Sequence, residues 1–352
     1  MTVTRIEVVE RESQPRVLHR QRYRPWHMLL RDGELDQITL TPGSFLSDKD
    51  VRDLKHTYYL RPENIPHEIT RNTVFWYEPG VCKLYEPTPP LEKEMAGIFL
   101  KDALSKEAQE EALKGLEQMD WDRYPPHRAE TKPAIERQRE LTKPGELLYG
   151  YTNKMTIEQT VVARRQARQF KHLERLIREM DACFARTLPA YHALHNRPKS
   201  LTQRRAEMRK PKQPEYGGIP KRFRQFLTAF STVTLLRSCP AAIHKDGGNA
   251  RADQTSFTCL TSVGRRKEDG EIDFSGGTFC LIEYGYKIPV KPGDIFIAQT
   301  TREWHYNTTP VEGTKYSIVC YYRRGLANPK LKRAKSAKSR NRAVPRSLSY
   351  PR

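Results

Sequence analysis

The chain has 352 residues, 37% of them hydrophobic and 30% charged, with a formal net charge of +20. That length supports one large domain or two ordinary ones, and the low apolar share means that long polar segments accompany the core. No run approaches the roughly 18–20 apolar residues of a membrane span, and the basic balance points to a polyanionic partner.

Residues 1–45 are mixed and polar, and their opening stretch is too charged for a signal peptide. The expectation is a soluble, intracellular protein, nuclear if the source is a eukaryote. The segment TVFWYEPGVCKLYEP (73–87) is aromatic and β-branched and predicts one or two strands around Pro79-Gly80. PPLEKEMAGIFLKDALSKEAQEEALKGLEQM (89–119) opens with prolines and acids and continues with apolar residues at helical spacing, which predicts a helix. A second helical stretch covers 156–197, with Val161, Val162, Phe170, Leu173, Leu176 and Ile177 as its apolar stripe and an arginine-rich opposite face.

A basic Pro/Gly-bearing segment, 197–225, reads as a linker or loop. From Phe226 the texture changes to about eight short apolar, β-branched runs separated by turn signals, an all-β sandwich or jelly roll. From Arg323 to Arg352 there is no acidic residue, and the tail reads as a disordered basic arm or import signal. The division is therefore an extension (1–45), a helical and mixed subdomain (46–196), the linker (197–225), a β core (226–325) and a tail (326–352). Cys82, Cys183, Cys239, Cys259, Cys280 and Cys320 are scattered without any CxxC pair, so they read as small hydrophobes rather than zinc ligands.

Within the β core stands HKDGGNARADQTSF, which begins at His244 and places Asp246 two residues later. About sixty residues on, in REWHYNTTPVEGTKYSIVCYYRR, His305 is the natural third ligand. Two imidazoles and a carboxylate on one face of an octahedron leave positions open, the donor set of non-haem Fe(II) oxygenases, whereas a structural zinc site is closed by four ligands. Ten residues past His305 comes Lys315, with Ser317 two further on. A cation pointing into a barrel is costly unless it meets an anion.

This pattern resembles the Fe(II)/2-oxoglutarate dioxygenase superfamily over roughly 226–325. The resemblance implies an α+β protein whose core is a double-stranded β-helix, or jelly roll, with an N-terminal helical region packed on it. It implies Fe(II) held by His244, Asp246 and His305, which are also the catalytic residues, with 2-oxoglutarate and O2 as co-substrates. It assigns Lys315 to the far carboxylate of 2-oxoglutarate. Arginine is usual there, and lysine lacks its bidentate fork. Ser317 and Arg237 are expected as further contacts to the co-substrate, Arg237 as a second anion contact from the preceding strand.

HYNTTPVEGTKYSIVCYYR is most similar to the TET/JBP branch, which oxidises the methyl group of 5-methylcytosine or thymine in DNA. That implies Tyr321 stacking on an extruded base, with Arg323, Asn249 and Asn153 as polar contacts. The partner is then DNA, a methylated duplex, with neither a membrane nor a protein partner indicated. The expected reaction is oxidation of 5-methylcytosine to 5-hydroxymethylcytosine and further, by base flipping. The alternatives are an N6-methyladenine demethylase or protein hydroxylase of the same fold, and a non-catalytic nucleic-acid-binding β-barrel.

Overall fold

The computed structural model describes residues 26–54, 64–78, 95–123, 144–150, 166–193, 228–230, 232–246 and 257–321. In chain order these form α1 (Trp26–Arg31), β1 (Asp36–Leu40), α2 (Asp48–Asp53), β2 (His67–Glu68), β3 (Thr73–Tyr77), β4 (Met95–Leu100), α3 (Lys106–Glu117), β5 (Gly145–Gly150), α4 (Ala167–Lys171) and α5 (Glu174–Thr187). There follow β6 (Thr232–Arg237), β7 (Ala241–His244), β8 (Thr258–Val263), β9 (Ser275–Gly276), β10 (Phe279–Leu281), β11 (Tyr286–Ile288), β12 (Ile295–Ala298), β13 (His305–Asn307), β14 (Pro310–Glu312) and β15 (Tyr316–Tyr321). None of these helices is long and apolar enough to cross a membrane.

The strands from β6 onward trace a jelly roll. β6 lies in a first sheet, β7 in a second, β8 back in the first, the β10–β11 hairpin in the second, β12 in the first, β13 in the second and β15 in the first. The first sheet reads β1-β3-β4-β12-β8-β15-β6-β5 and the second β2-β11-β10-β13-β7, with a small β14-β9 ribbon beside them. Repeated crossing between two facing sheets is what makes this a double-stranded β-helix rather than a meander.

The first sheet does not stop at the boundary expected at residue 226. β4 pairs with β12 from Gly97 to Leu100, and β5 pairs with β6 along its length. β1, which falls within the expected extension 1–45, is the outermost strand. The N-terminal half therefore supplies four of the eight strands of this sheet, as well as the helices packed on it, and it covers both edges that the jelly roll would otherwise expose.

Of the expected helix over 89–119, residues 89–94 lie outside the described residues and the rest divides into a strand and a helix. Met95–Leu100 is a strand, and the helix runs from Lys106 to Glu117 behind the N-cap Ser105, whose hydroxyl accepts from the Ala108 amide. All of MAGIFL is buried, with Met95, Ile98 and Leu100 facing the helices and Ala96 and Phe99 facing the second sheet. A strand covered on both faces shows no polar alternation, so a continuous apolar run hides its period.

Burial is divided by the first sheet. On its outer face Ala108, Ala112 and Leu116 of α3 and Leu176, Ile177, Met180 and Phe184 of α5 pack on Val233, Leu235, Ile295, Ile297, Ile318 and Cys320. Between the sheets lie Phe75, Phe99, Leu260, Phe279, Leu281, Ile288 and Phe296. Behind the second sheet, Val51 of α2 joins Ile243, Cys280, Ile282, Trp304 and Tyr306. Cys183, Cys259, Cys280 and Cys320 are buried free thiols, and burial pushes Cys183 and Cys280 up to about 12. They behave as the small hydrophobes expected. Phe170, Leu173, Leu176 and Ile177 form the buried stripe expected of the second helical stretch, whereas Val161 and Val162 lie outside the described residues.

A chain beginning at residue 226 lacks β4 and β5 and leaves both edges of its larger sheet bare. It is expected to aggregate or to unfold without cooperativity in urea, whereas the full chain unfolds in one sharp transition followed by circular dichroism.

Candidate metal centre

His244 ends β7 and His305 begins β13, and the antiparallel register sets them directly opposite one another. Their ring centroids are 4.3 Å apart. The register shifts immediately beyond, since Asn307 pairs with Ala241. β7 thus carries an extra residue beside its histidine, a bulge of the kind that re-aims a side chain. Asp246 is returned to the same place by its own backbone, whose N–H donates to Thr300 O at 3.0 Å. One ligand atom from each of His244, Asp246 and His305 lies within 4.8 Å of the others.

Both imidazoles have their outer nitrogen committed. His244 Nδ1 is 2.6 Å from Ala242 O, and His305 Nδ1 is 2.9 Å from Glu303 O. A carbonyl only accepts, so each Nδ1 donates and each Nε2 is turned to the opposite side of its ring, that of His244 lying 3.5 Å from Asp246 Oδ1. Phe279 stacks on the His305 ring at 5.1 Å and fixes its plane. Burial opposes ionisation of Asp246, but the neighbouring His244 and His305 imidazoles and the Thr300 hydroxyl outweigh it and hold the carboxyl below the ordinary carboxylate range. Two imidazole nitrogens and one carboxylate oxygen, without thiolate, fit an Fe(II)-type centre that keeps positions open.

Along β15, Tyr316, Ile318 and Cys320 face the helices. Alternation turns Lys315, Ser317, Val319 and Tyr321 toward the second sheet, and Val319 packs in the inter-sheet core. Lys315 is 5% exposed. Its Nζ donates to Gly277 O at 2.5 Å and sits 5.6 Å from the centre of the Phe274 ring. No carboxylate pairs with it among the described residues, and burial lowers its pKa to about 8. The Gly276-Gly277 turn makes this room: a Cβ on Gly277, whose φ is +64°, would stand 2.8 Å from Lys315 Cδ.

Ser262 of β8 is directly opposite Ser317 in register, and its buried hydroxyl has no hydrogen-bond partner among the described residues. A buried ammonium and an unused hydroxyl along one face fit a carboxylate guest. Nothing in TSFTCLTSVG distinguishes Ser262 from an ordinary strand residue, and only the register reveals it. Thr300 and Phe279 were missed for the same reason.

Arg237 does not join this group. It follows Val233 and Leu235 on the helix-facing side of β6, lies over Trp121 at 5.5 Å and donates to Asp122 at 3.2 Å. Strand alternation therefore puts it on the face opposite Lys315 and removes it from the co-substrate contacts. Tyr321 is buried, with its hydroxyl 3.2 Å from Thr234 Oγ1, on the Lys315 face. Arg323, Asn249 and Asn153 lie outside the described residues.

Residues 151–324 match the Tet_JBP family, described as "Oxygenase domain of the 2OGFeDO superfamily". The chain is 26% identical over 172 residues to a "Bifunctional helicase and thymine dioxygenase JBP2" of Leishmania braziliensis, covering 48% of this chain and 13% of that protein. It is 28% identical over 113 residues to the protein of the same description in Trypanosoma cruzi, covering 31% of this chain and 9% of that one. The chain thus spans a small part of the curated relatives it matches. A solved structure, "NgTET1 in complex with 5mC DNA", aligns with a TM-score of 0.43 at 12% identity, over 76% of this chain and 86% of that one.

Replacing either His244 or Asp246 by Ala leaves two ligands, too few to hold a divalent ion firmly. Titration of the purified chain with Co(II), followed by its visible absorption, is expected to saturate for the wild type and to show no site for either variant.

Proposed function

Since residues 151–324 belong to the oxygenase-domain family of the 2OGFeDO superfamily, we propose that the chain is an Fe(II)/2-oxoglutarate-dependent dioxygenase acting on the C5-methyl group of a pyrimidine base in DNA, with 5-methylcytosine as the substrate. The observation that carries the reading is the convergence of His244, Asp246 and His305, with both Nδ1 atoms turned to backbone carbonyls. The net charge of +20 supports a polyanionic substrate.

His244 Nε2, His305 Nε2 and an Asp246 oxygen would hold the iron. Iron with 2-oxoglutarate would supply O2 activation there, one oxygen atom going to succinate with loss of CO2 and the other to a substrate C–H bond. The chain's own contribution is placement. Lys315 meets the distal carboxylate, and the Ser262 and Ser317 hydroxyls flank it. The apolar layer of Phe279, Phe296 and Leu281 between the sheets keeps bulk water from the centre. A methyl group inside a duplex cannot reach a centre set between two sheets, so the base is extruded, and stacking worth about 1–3 kcal/mol offsets part of that cost. Tyr321 is the stacking residue in this reading, with Arg323, Asn249 and Asn153 as polar contacts to the base.

A second reading, thymine as substrate, is favoured by the description of the matched relatives as thymine dioxygenases. Thymine and 5-methylcytosine carry the same methyl group and differ on the pairing edge, which phosphate contacts do not read.

Aerobic incubation with Fe(II), 2-oxoglutarate and oligonucleotides bearing 5-methylcytosine, thymine or N6-methyladenine, with mass spectrometry of the released nucleosides, is the test. An oxidised methyl on 5-methylcytosine is expected. An oxidised thymine alone moves the assignment to the second reading, and succinate formed without change to any base places the substrate outside DNA. No succinate under any condition makes the chain a binding module.

Two outcomes concern Lys315. The ammonium is the form that pairs with a carboxylate, and it loses its proton as pH rises through about 8. Apparent affinity for 2-oxoglutarate is therefore expected to be full below that pH and to fall above it, a descent that Lys315→Arg abolishes. Gly277→Ala, which drives a Cβ against Lys315, is expected to raise the KM for 2-oxoglutarate while leaving Co(II) binding intact.

A further inference from the structure

The turn from Gln299 to Glu303 connects β12 to β13 and touches two of the three metal ligands. Thr300 O accepts from the Asp246 amide, and Glu303 O accepts from His305 Nδ1. The turn is itself held from outside the jelly roll. Gln299 N donates to Ala96 O, and Gln299 Nε2 donates to Met95 O at 2.7 Å, both on β4. The carboxylate of Glu303, 4% exposed, accepts from two phenols: Tyr77 at the end of β3, and Tyr284, in the β10–β11 turn, at 2.6 Å. Arg302 lies over the Tyr77 ring at 4.9 Å. Next in the chain, Trp304 Nε1 donates to Asp48 at 3.0 Å, and its ring lies beneath the ammonium of Lys245, the residue between His244 and Asp246.

We propose that Glu303 is the positioning residue of the metal centre and that Tyr77 and Tyr284 are the clamp that holds it, so that the N-terminal strands, outside the matched segment 151–324, set the geometry of the distal histidine. The proposal rests on the metal-centre reading above. A carboxylate gripped at both oxygens cannot rotate its backbone freely. Its carbonyl therefore stays where it fixes the His305 tautomer and ring plane. Both phenols remain donors, because burial and the Glu303 charge push their ionisation well above the usual tyrosine range. Groups that orient a ligand in this way are worth roughly 10–100-fold in metal affinity.

The test titrates Co(II) into the full chain with air excluded and reads visible absorption, with thermal unfolding of each metal-free protein alongside. Tyr77→Phe combined with Tyr284→Phe removes two hydroxyls and no packing, and it is expected to weaken Co(II) binding about tenfold or more. Glu303→Gln still accepts one phenol and donates to the other oxygen, and it is expected to stay within about threefold of the wild type. Leu116→Ala, which opens a cavity on the helix side of the first sheet, is expected to lower the unfolding temperature without changing Co(II) affinity. The clamp is overturned if the double phenylalanine variant binds as the wild type does, or if Leu116→Ala weakens binding equally. A wild type that shows no cobalt absorption overturns instead the metal-centre reading on which the clamp rests.

Discussion

The pairing of β7 with β13 is the constraint on which the site depends. His244 and His305 are about sixty residues apart in the chain and face one another because two short antiparallel strands put them in register. Register in a sheet is an all-or-none property: a slip of one residue would send one imidazole to the outer face, among Ile243, Cys280 and Trp304. The apolar layers on either side of the second sheet, Phe279 and Leu281 within and Ile243, Cys280 and Tyr306 behind, enforce that register. Packing thus fixes the chemistry: the same alternation that sorts apolar side chains between two cores also aims both imidazoles inward.

The first sheet is used on both faces. Its outer side takes α3 and α5, and its inner side carries Lys315, Ser317 and Ser262 toward the second sheet. Neighbouring residues on one strand consequently have unrelated duties: Tyr316 packs against Trp121 below the helices, while Lys315 beside it is a buried cation. Arg237 shows the limit of reasoning from proximity in sequence. It ends a strand that pairs with the Lys315 segment, but it points to the helix side and binds Asp122.

Much of the jelly roll was legible in the sequence because its strands are short, β-branched and separated by Gly and Pro turns. The candidate metal triad was legible because its members are rare residue types at a recognisable spacing. Lys315 was legible because a lysine inside an apolar strand needs a reason. The strand Met95–Leu100 was not, since burial on both faces erases the alternation that identifies strands. Nor was the continuity of the sheet across residue 226, because the pairing of β4 with β12 joins residues nearly two hundred positions apart. Ser262, Thr300 and Glu303 matter through register and hydrogen bonding alone, and such residues look ordinary until the strands are aligned.

The lysine enclosed between the two sheets has a thermodynamic corollary. Among the described residues a carbonyl and an aromatic face lie against its ammonium, so burial of its charge weakens the folded state at neutral pH, and any small dianion that settles beside it would relieve that penalty. Ligand occupancy and resistance to unfolding then rise together, following the logarithm of ligand concentration over its dissociation constant. Supply of such a dianion would then act on the stability of the folded chain as well as on the occupancy of the site.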